Sequence, residues 1–367
     1  MDEGGEAYQA DVSDQPFETS FHPSANVFAA SLITGAVEVF EYGEGTNKVK
    51  ALKPHNDSCR TVKFSPDGRV LISASLDMSI VATDCNTAQE VGRLDGAHSA
   101  GVNTIAYLNP TSIASGDDDG TMKVWDLRQQ SCVYTFDEVH EDFCSDLWVS
   151  QETQQLLTTS GDGTLSCVDL RTGKLVEQSD NQEDELMSLV VLKEGKKVVT
   201  GSTGGILSIW NYGRWGDITD RYPGHPNSID TLVKIDEDTI FTGSSDGIIR
   251  IVSILPNKLV GVVGEHMDSP IEHLAFSSDR RYLASASHDN TIKLWDVAFI
   301  TLDDDGDDDD QGEAGATSAG PSGGDADMDA DGTGSESDAS RQSKKKKGKK
   351  GKGNQGGGKA NFFEDLL

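Results

Sequence analysis

Cysteine is scarce in these 367 residues, with five in all. Cys59, Cys85, Cys132, Cys144 and Cys167 form no C-x-x-C pair and make an odd total. That spacing excludes a disulfide framework and a zinc site, and it fits a reducing compartment. Positive charge is also short. Lys and Arg number 31 against 62 Asp and Glu, a net of −31. From Met1 to Leu302 the count is 22 against 46, a net of −24. So acidic a body repels phosphate, which argues against a nucleic-acid grip by this part and leaves protein surfaces as its expected partners. No apolar run is long enough to cross a bilayer, and the first thirty residues hold no short apolar core, so an intracellular soluble protein is expected. Enzyme signatures are missing as well: no G-x-x-x-x-G-K-[ST] loop, no G-x-S-x-G elbow and no H-E-x-x-H pair. GSTGG at Gly201 to Gly205 matches no nucleotide fingerprint. With nothing converging on one site, neither catalysis nor a bound metal or cofactor is expected.

What is present is a repeat, shown most fully by IASGDDDGTMKVWDLR at Ile113 to Arg128. Its turn position returns as Thr34, Asp77, Asp119, Asp162, Gly204, Asp246 and Asp289, at intervals of 43, 42, 43, 42, 42 and 43. Each copy reads apolar strand, turn, apolar strand, Asp-Gly-like turn, apolar strand. A period of about 40 to 45 residues with a Trp-Asp pair predicts propeller blades of four short strands. The fold expected is therefore all-β, a seven-bladed propeller over residues 16–302. Residues 1–15 read as a flexible acidic arm, within which Ala7 to Val12 is the candidate strand for closing the ring and covering its open sheet edges.

Histidines fall just before the first strand of five repeats, at His55, His98, His140, His225 and His266. Recurring once per blade, they would lie far apart around a ring, which excludes a shared metal site or acid-base pair. The repeats resemble WD-repeat proteins, in which histidine, a strand Ser or Thr, the turn Asp and the strand Trp form one hydrogen-bonded line. That resemblance implies His98, Ser115, Asp119 and Trp125 in blade three, and His266, Ser285, Asp289 and Trp295 in blade seven. Buried polar groups of this kind are tolerable only when paired. Repeats two, four and six keep His and Asp but carry Thr83, Val168 and Val252 in place of Trp, while repeat five keeps Trp210 and has Gly204 in place of Asp.

Beyond Leu302 the composition changes. Asp303 to Ala339 holds 14 acids and no base, so residues 303–340 are expected to be an acidic disordered linker. Residues 341–359 are lysine-rich, with Lys344, Lys345, Lys346, Lys347, Lys349, Lys350 and Lys352 as a candidate nuclear and nucleolar address. RNA contact by this cluster stands second, because the neighbouring acids compete for it in cis. In residues 360–367, ANFFEDLL, residues Phe363, Leu366 and Leu367 share one face of a helical turn. With Phe362 they form a candidate motif for a partner's groove.

The joints between repeats are more particular. NYGRWGDITDRYPGHPNSID at Asn211 to Asp230 and IIRIVSILPNKLVGVVGEH at Ile248 to His266, with the acidic stretch, the lysines and FFEDLL, resemble the WD repeat-containing protein 55 family. The resemblance implies a monomeric scaffold of the nucleus and nucleolus, present also in the cytoplasm, acting with ribosome assembly factors in ribosomal RNA production and processing and in large-subunit biogenesis. A rival reading rests on the Ile113 to Arg128 box, which resembles the docking box of substrate receptors for cullin-RING ubiquitin ligases. It implies that Asp119, Trp125 and Asp126 hold the blade while Arg128 meets the ligase adaptor through a planar fork that Lys cannot mimic. Arg171, at the end of VDLR, is a weaker second copy.

Overall fold

The computed structural model describes residues 5–137 and 139–301. The segments read above at 303–340, 341–359 and 360–367 lie outside these residues, and with them the lysine cluster and the Phe362 to Leu367 motif. The described chain forms seven four-stranded antiparallel sheets, so the fold is all-β and seven-bladed. The first strands are Pro16–Phe21, Cys59–Phe64, Val102–Asn109, Cys144–Ser150, Leu186–Leu192, Ile229–Lys234 and Ile271–Phe276. Each touches the next, and the last touches the first, so they form the wall of a central channel.

The last blade draws on both ends of the ring. Glu6–Asp11 lies antiparallel to Thr291–Asp296, with Tyr8 opposite Leu294 and Asp11 opposite Thr291. The strand supplies the fourth position of a sheet whose other members are Ile271–Phe276, Tyr282–Ser287 and Thr291–Asp296. Its backbone pairs a sheet edge that would otherwise recruit other chains.

The core is divided among the seams between blades. One apolar cluster occupies each seam, such as Ile72, Ile80, Ile105 and Trp125 between blades two and three. Side chains alternate across every strand, so a blade's odd and even positions serve different neighbours. In the third strand of blade three, Met122 and Val124 pack on blade four while Trp125 packs on blade two.

The Asp-Gly turns repeat because the next blade's histidine loop presses on them. Gly120 has φ +77, and a Cβ there would sit 2.5 Å from the His140 carbonyl oxygen. Gly35 meets the His55 loop, and Gly205 the His225 loop, in the same way. In these three blades the turn combines a left-handed backbone with no room for a side chain, whereas blades two and seven hold Met78 and Asn290 there at φ 64 and 62.

Candidate functional site

In blade seven Trp295 Nε1–H donates to Ser285 Oγ at 2.9 Å, and the Ser285 hydroxyl donates to His266 Nε2 at 2.6 Å. His266 Nδ1–H then donates to Asp289 at 2.8 Å. Only a neutral imidazole can accept at one nitrogen and donate from the other. Burial holds the His266 pKa below its ordinary value despite the Asp289 carboxylate.

Blade three makes the same line with a different carboxylate, which corrects the sequence expectation. Trp125 donates to Ser115 at 2.8 Å, Ser115 to His98 at 2.6 Å, and His98 Nδ1–H to Asp117 at 2.8 Å. Asp119 is exposed and takes no part through its side chain. The cause is local: Asp117 ends the strand Ser112–Asp117 facing inward and wholly buried. There it also accepts the backbone N–H groups of Asp119 and Thr121, at 3.1 and 2.8 Å.

Elsewhere the line is partial. His55 meets Ser73 at 2.9 Å and Asp77 at 3.3 Å, and His140 meets Thr164 at 2.9 Å and Asp162 at 3.3 Å. In blade five Trp210 donates to Thr200 at 3.1 Å without a histidine. Blade six departs from its sequence pattern. Arg250 takes both oxygens of Asp246, at 3.0 and 2.6 Å, leaving His225 among the described residues only its Thr242 bond of 2.8 Å. Burial and then the Arg250 charge push His225 down to about 4.

The Arg128 box lies where the third and fourth strands of blade three turn. Trp125 is buried and committed to Ser115, so it supports the blade and is closed to partners. Asp126 accepts the Arg128 backbone N–H at 2.9 Å and clamps the guanidinium through Nε at 3.2 Å and Nη2 at 2.8 Å. The Arg128 side chain remains 67% exposed. Its hydrogen bonds hold the Asp126 pKa near 2. Arg171 is also exposed, but its Nη2 donates to the Thr153 carbonyl.

A channel of about 530 Å³ runs through the centre. The third residues of the first strands are Glu18, Thr61, Thr104, Asp146, Ser188, Thr231 and His273, polar in every blade. First strands are inner edges, and these side chains supply what the missing neighbour would. Glu18 accepts the Val62 N–H at 2.8 Å, Asp146 the Leu189 N–H at 3.0 Å and Thr231 the Leu274 N–H at 3.1 Å. Glu18 also pairs with Lys63 and lies 3.4 Å from His273. Burial would raise the Glu18 pKa, but Lys63 and His273 hold it below the usual value. Asp146 rises to about 6 by burial, which its Leu189 bond and the Lys63 charge offset only in part. The channel was missed from sequence, although a polar residue at one strand position in all seven repeats was a usable signal. Around one mouth stand Asp118, Asp230 and Glu272, with Arg60 stacked on Phe17 at 4.3 Å. Among the described residues no cluster of three His, Cys, Asp or Glu could hold a metal ion, and no helix is long and apolar enough to cross a membrane.

Seven WD-type blades with buried hydrogen-bond lines, turn faces and a polar channel define a propeller of the protein-interaction class. The family model WDR55 matches residues 8–300. The chain belongs to the WD repeat-containing protein 55 family. It is 44% identical to the WD repeat-containing protein 55 of Arabidopsis thaliana over 292 residues, 79% of this chain and 82% of that one. With the human protein of that name it shares 37% over 282 residues, 76% and 73% of the two chains. With the WD repeat-containing protein JIP5 of Coprinopsis cinerea it shares 39% over 299 residues, 78% and 73%.

Proposed function

We propose that the protein is a non-enzymatic scaffold of the nucleus and nucleolus, serving ribosomal RNA production and processing and large-subunit assembly. Membership of the family over residues 8–300 carries this reading. The acidic ring supports it by disfavouring direct phosphate binding and favouring assembly proteins as partners. The lysines at 344–352 supply the address. Affinity purification with mass spectrometry, joined to precursor-RNA profiling after depletion and rescue, tests it. Large-subunit assembly factors among the partners and accumulated precursor in depleted cells are expected. Neither appearing would overturn the reading.

A second reading has its own observation, the exposed Arg128 guanidinium held in a fixed orientation by Asp126. It makes the propeller a substrate receptor of a cullin-RING ligase. Arg128→Ala should leave the melting temperature unchanged, since exposed pairs contribute little. On this reading the substitution removes a ligase adaptor from the purified complex. An adaptor absent from the wild-type sample excludes it.

A further inference from the structure

The fourth strand of each blade ends its sheet, so among the described residues one row of its backbone N–H and C=O groups has no strand beyond it. Charge inside the strand guards most of these edges against a further strand. Lys48 stands in Thr46–Leu52, Arg93 in Glu90–Leu94, Glu177 in Lys174–Gln178 and Asp220 in Arg214–Pro223. Three outer strands have no charge in their interiors, and in two of them a neighbouring blade takes over the guard. In Glu6–Asp11 the Tyr8 hydroxyl donates to the Gly43 carbonyl, and the Gln9 carbonyl accepts the Thr46 hydroxyl. In Ser131–Phe136 the Tyr134 ring lies against Gly173, and its hydroxyl donates to the Arg171 carbonyl.

The third, Lys258–Glu265 of blade six, has neither device. Its sequence KLVGVVGE carries charge only at the two ends. Val260 and Val262 are each 58% exposed, Leu259 stands beside them, and Leu255 and Met267 continue the apolar surface past both ends. Five of the twelve exposed large apolar side chains of the described residues are these, so the exposure is concentrated on one edge.

Two bulges interrupt the strand, where Val260 and Val263 are passed over in the pairing with Ile248–Ser253. Bulges also blunt edges. The first recurs beside the Trp position of every blade, so it belongs to the blade's shape and not to a guard of this edge. The second adjoins Gly264, where the Trp295 ring of blade seven leaves no room for a Cβ. The open run is therefore Lys258 to Val262. Open backbone groups on a sheet edge are met in full by another extended strand, which a helix cannot supply. Charge selects the bearer of that strand: against a body of net −24 a second copy is repelled and a basic protein is drawn in.

We propose that blade six receives an extended segment of a basic partner protein as a fifth strand, paired along Lys258 to Val262, with apolar side chains against Leu259, Val260 and Val262 and Lys or Arg at its flanks. This rests on the interaction-propeller class alone, so its failure would leave the ribosomal and ligase readings standing.

The test selects phage-displayed random peptides of about twelve residues on the full chain and discards those that also bind a Val260→Lys, Val262→Lys double variant. Both positions are exposed, so the variant should melt within about 1 °C of wild type. Surviving sequences, made as free peptides, should be apolar in the middle and basic at the flanks, and should bind the variant at least about tenfold more weakly. On wild type alone, a bound peptide should slow amide exchange between Leu259 and Val262 about tenfold. N-methylation of alternate peptide nitrogens should abolish binding in one phase and spare it in the other, because only one set of N–H groups faces the ladder. No survivors, acidic survivors, or survivors that leave exchange at Leu259 to Val262 unchanged would overturn the proposal. Dimers of the chain that the double substitution abolishes would assign the edge to a second copy and overturn the partner strand.

Discussion

Replacing Asp117 with alanine should cost the propeller about 3 to 5 kcal/mol, whereas the same change at Asp119 should cost less than about 0.5 kcal/mol. The asymmetry follows from position. The Asp117 side chain has no solvent exposure and accepts from His98 Nδ1 at 2.8 Å and from the backbone N–H groups of Asp119 and Thr121. Its removal leaves three buried or half-buried donors unpaired, and leaving a buried donor without a partner costs more than the lost bond alone. Asp119 is exposed. Melting followed by tryptophan fluorescence is a suitable assay, because Trp125 ends the same hydrogen-bonded line. At about 2 °C per kcal/mol for a domain of this size, Asp117→Ala should melt about 6 to 10 °C low. A cycle with His98→Ala should show a coupling of about 1 to 3 kcal/mol. Equal losses at Asp117 and Asp119, or Asp117→Ala melting within about 1 °C of wild type, would refute the assignment.

Asp230 should reveal itself by pH. Burial raises its pKa from 3.8 to about 6, so the folded protein keeps a proton that the unfolded chain gives up, and stability falls as pH rises through that interval. Asp230→Asn should therefore gain about 1 to 2 kcal/mol at pH 7.5, discounted for partial exposure, and nothing at pH 3.5; urea midpoints at the two values decide it. Gly120→Ala, with its Cβ at 2.5 Å from a carbonyl oxygen, should lose about 2 to 4 kcal/mol, while Gly195→Ala, also at positive φ but in open space, should lose about 1 kcal/mol. Paired thermal melts compare the two directly. Deleting Met1 to Asp11 should lower the melting temperature and, by baring the Thr291–Asp296 edge, produce oligomers on size exclusion; a stable monomer would contradict the closing role of Glu6–Asp11.

The repeat was legible because period and turn chemistry are local: an Asp-Gly-like turn every 42 to 43 residues carries the blade count without any tertiary information. Fourth strands were hidden, since Lys174–Gln178 is exposed along its whole length and has no apolar alternation to read. The blade-three carboxylate was misread for a geometric reason. In a run of three aspartates, spacing alone selects Asp119, but inward orientation at the strand end selects Asp117. Blade six misled similarly, because Arg250 lies four residues beyond Asp246 in sequence and only the folded strand brings its fork onto the carboxylate. The Arg128 box was visible as a motif. What the sequence could not show was an apolar groove beside it, assembled from two blades about forty residues apart.

The residue at the Trp position of each third strand packs toward the preceding blade, and this arranges the seams unequally. Trp125, Trp210 and Trp295 fill the seams between blades two and three, four and five, and six and seven. Phe40 fills the seam between blades seven and one, stacked on Phe28 at 5.1 Å. The intervening seams receive Thr83, Val168 and Val252, and the one beside Thr83 keeps a cavity of about 30 Å³. Strict alternation cannot close in a ring of seven, so two aromatic seams must adjoin. They adjoin at blade seven, the one blade assembled from segments at opposite ends of the ring. Joining Glu6–Asp11 to Thr291–Asp296 closes a loop of nearly three hundred residues, at an entropic cost of about 5 kcal/mol beyond the constant term. Losing a buried aromatic side chain typically costs about 3 to 5 kcal/mol, so Trp295 on one face of blade seven and Phe40 against the other are together of the size needed to offset that closure. The two adjoining aromatic seams, Trp295 and Phe40, thus fall where the ring must be joined.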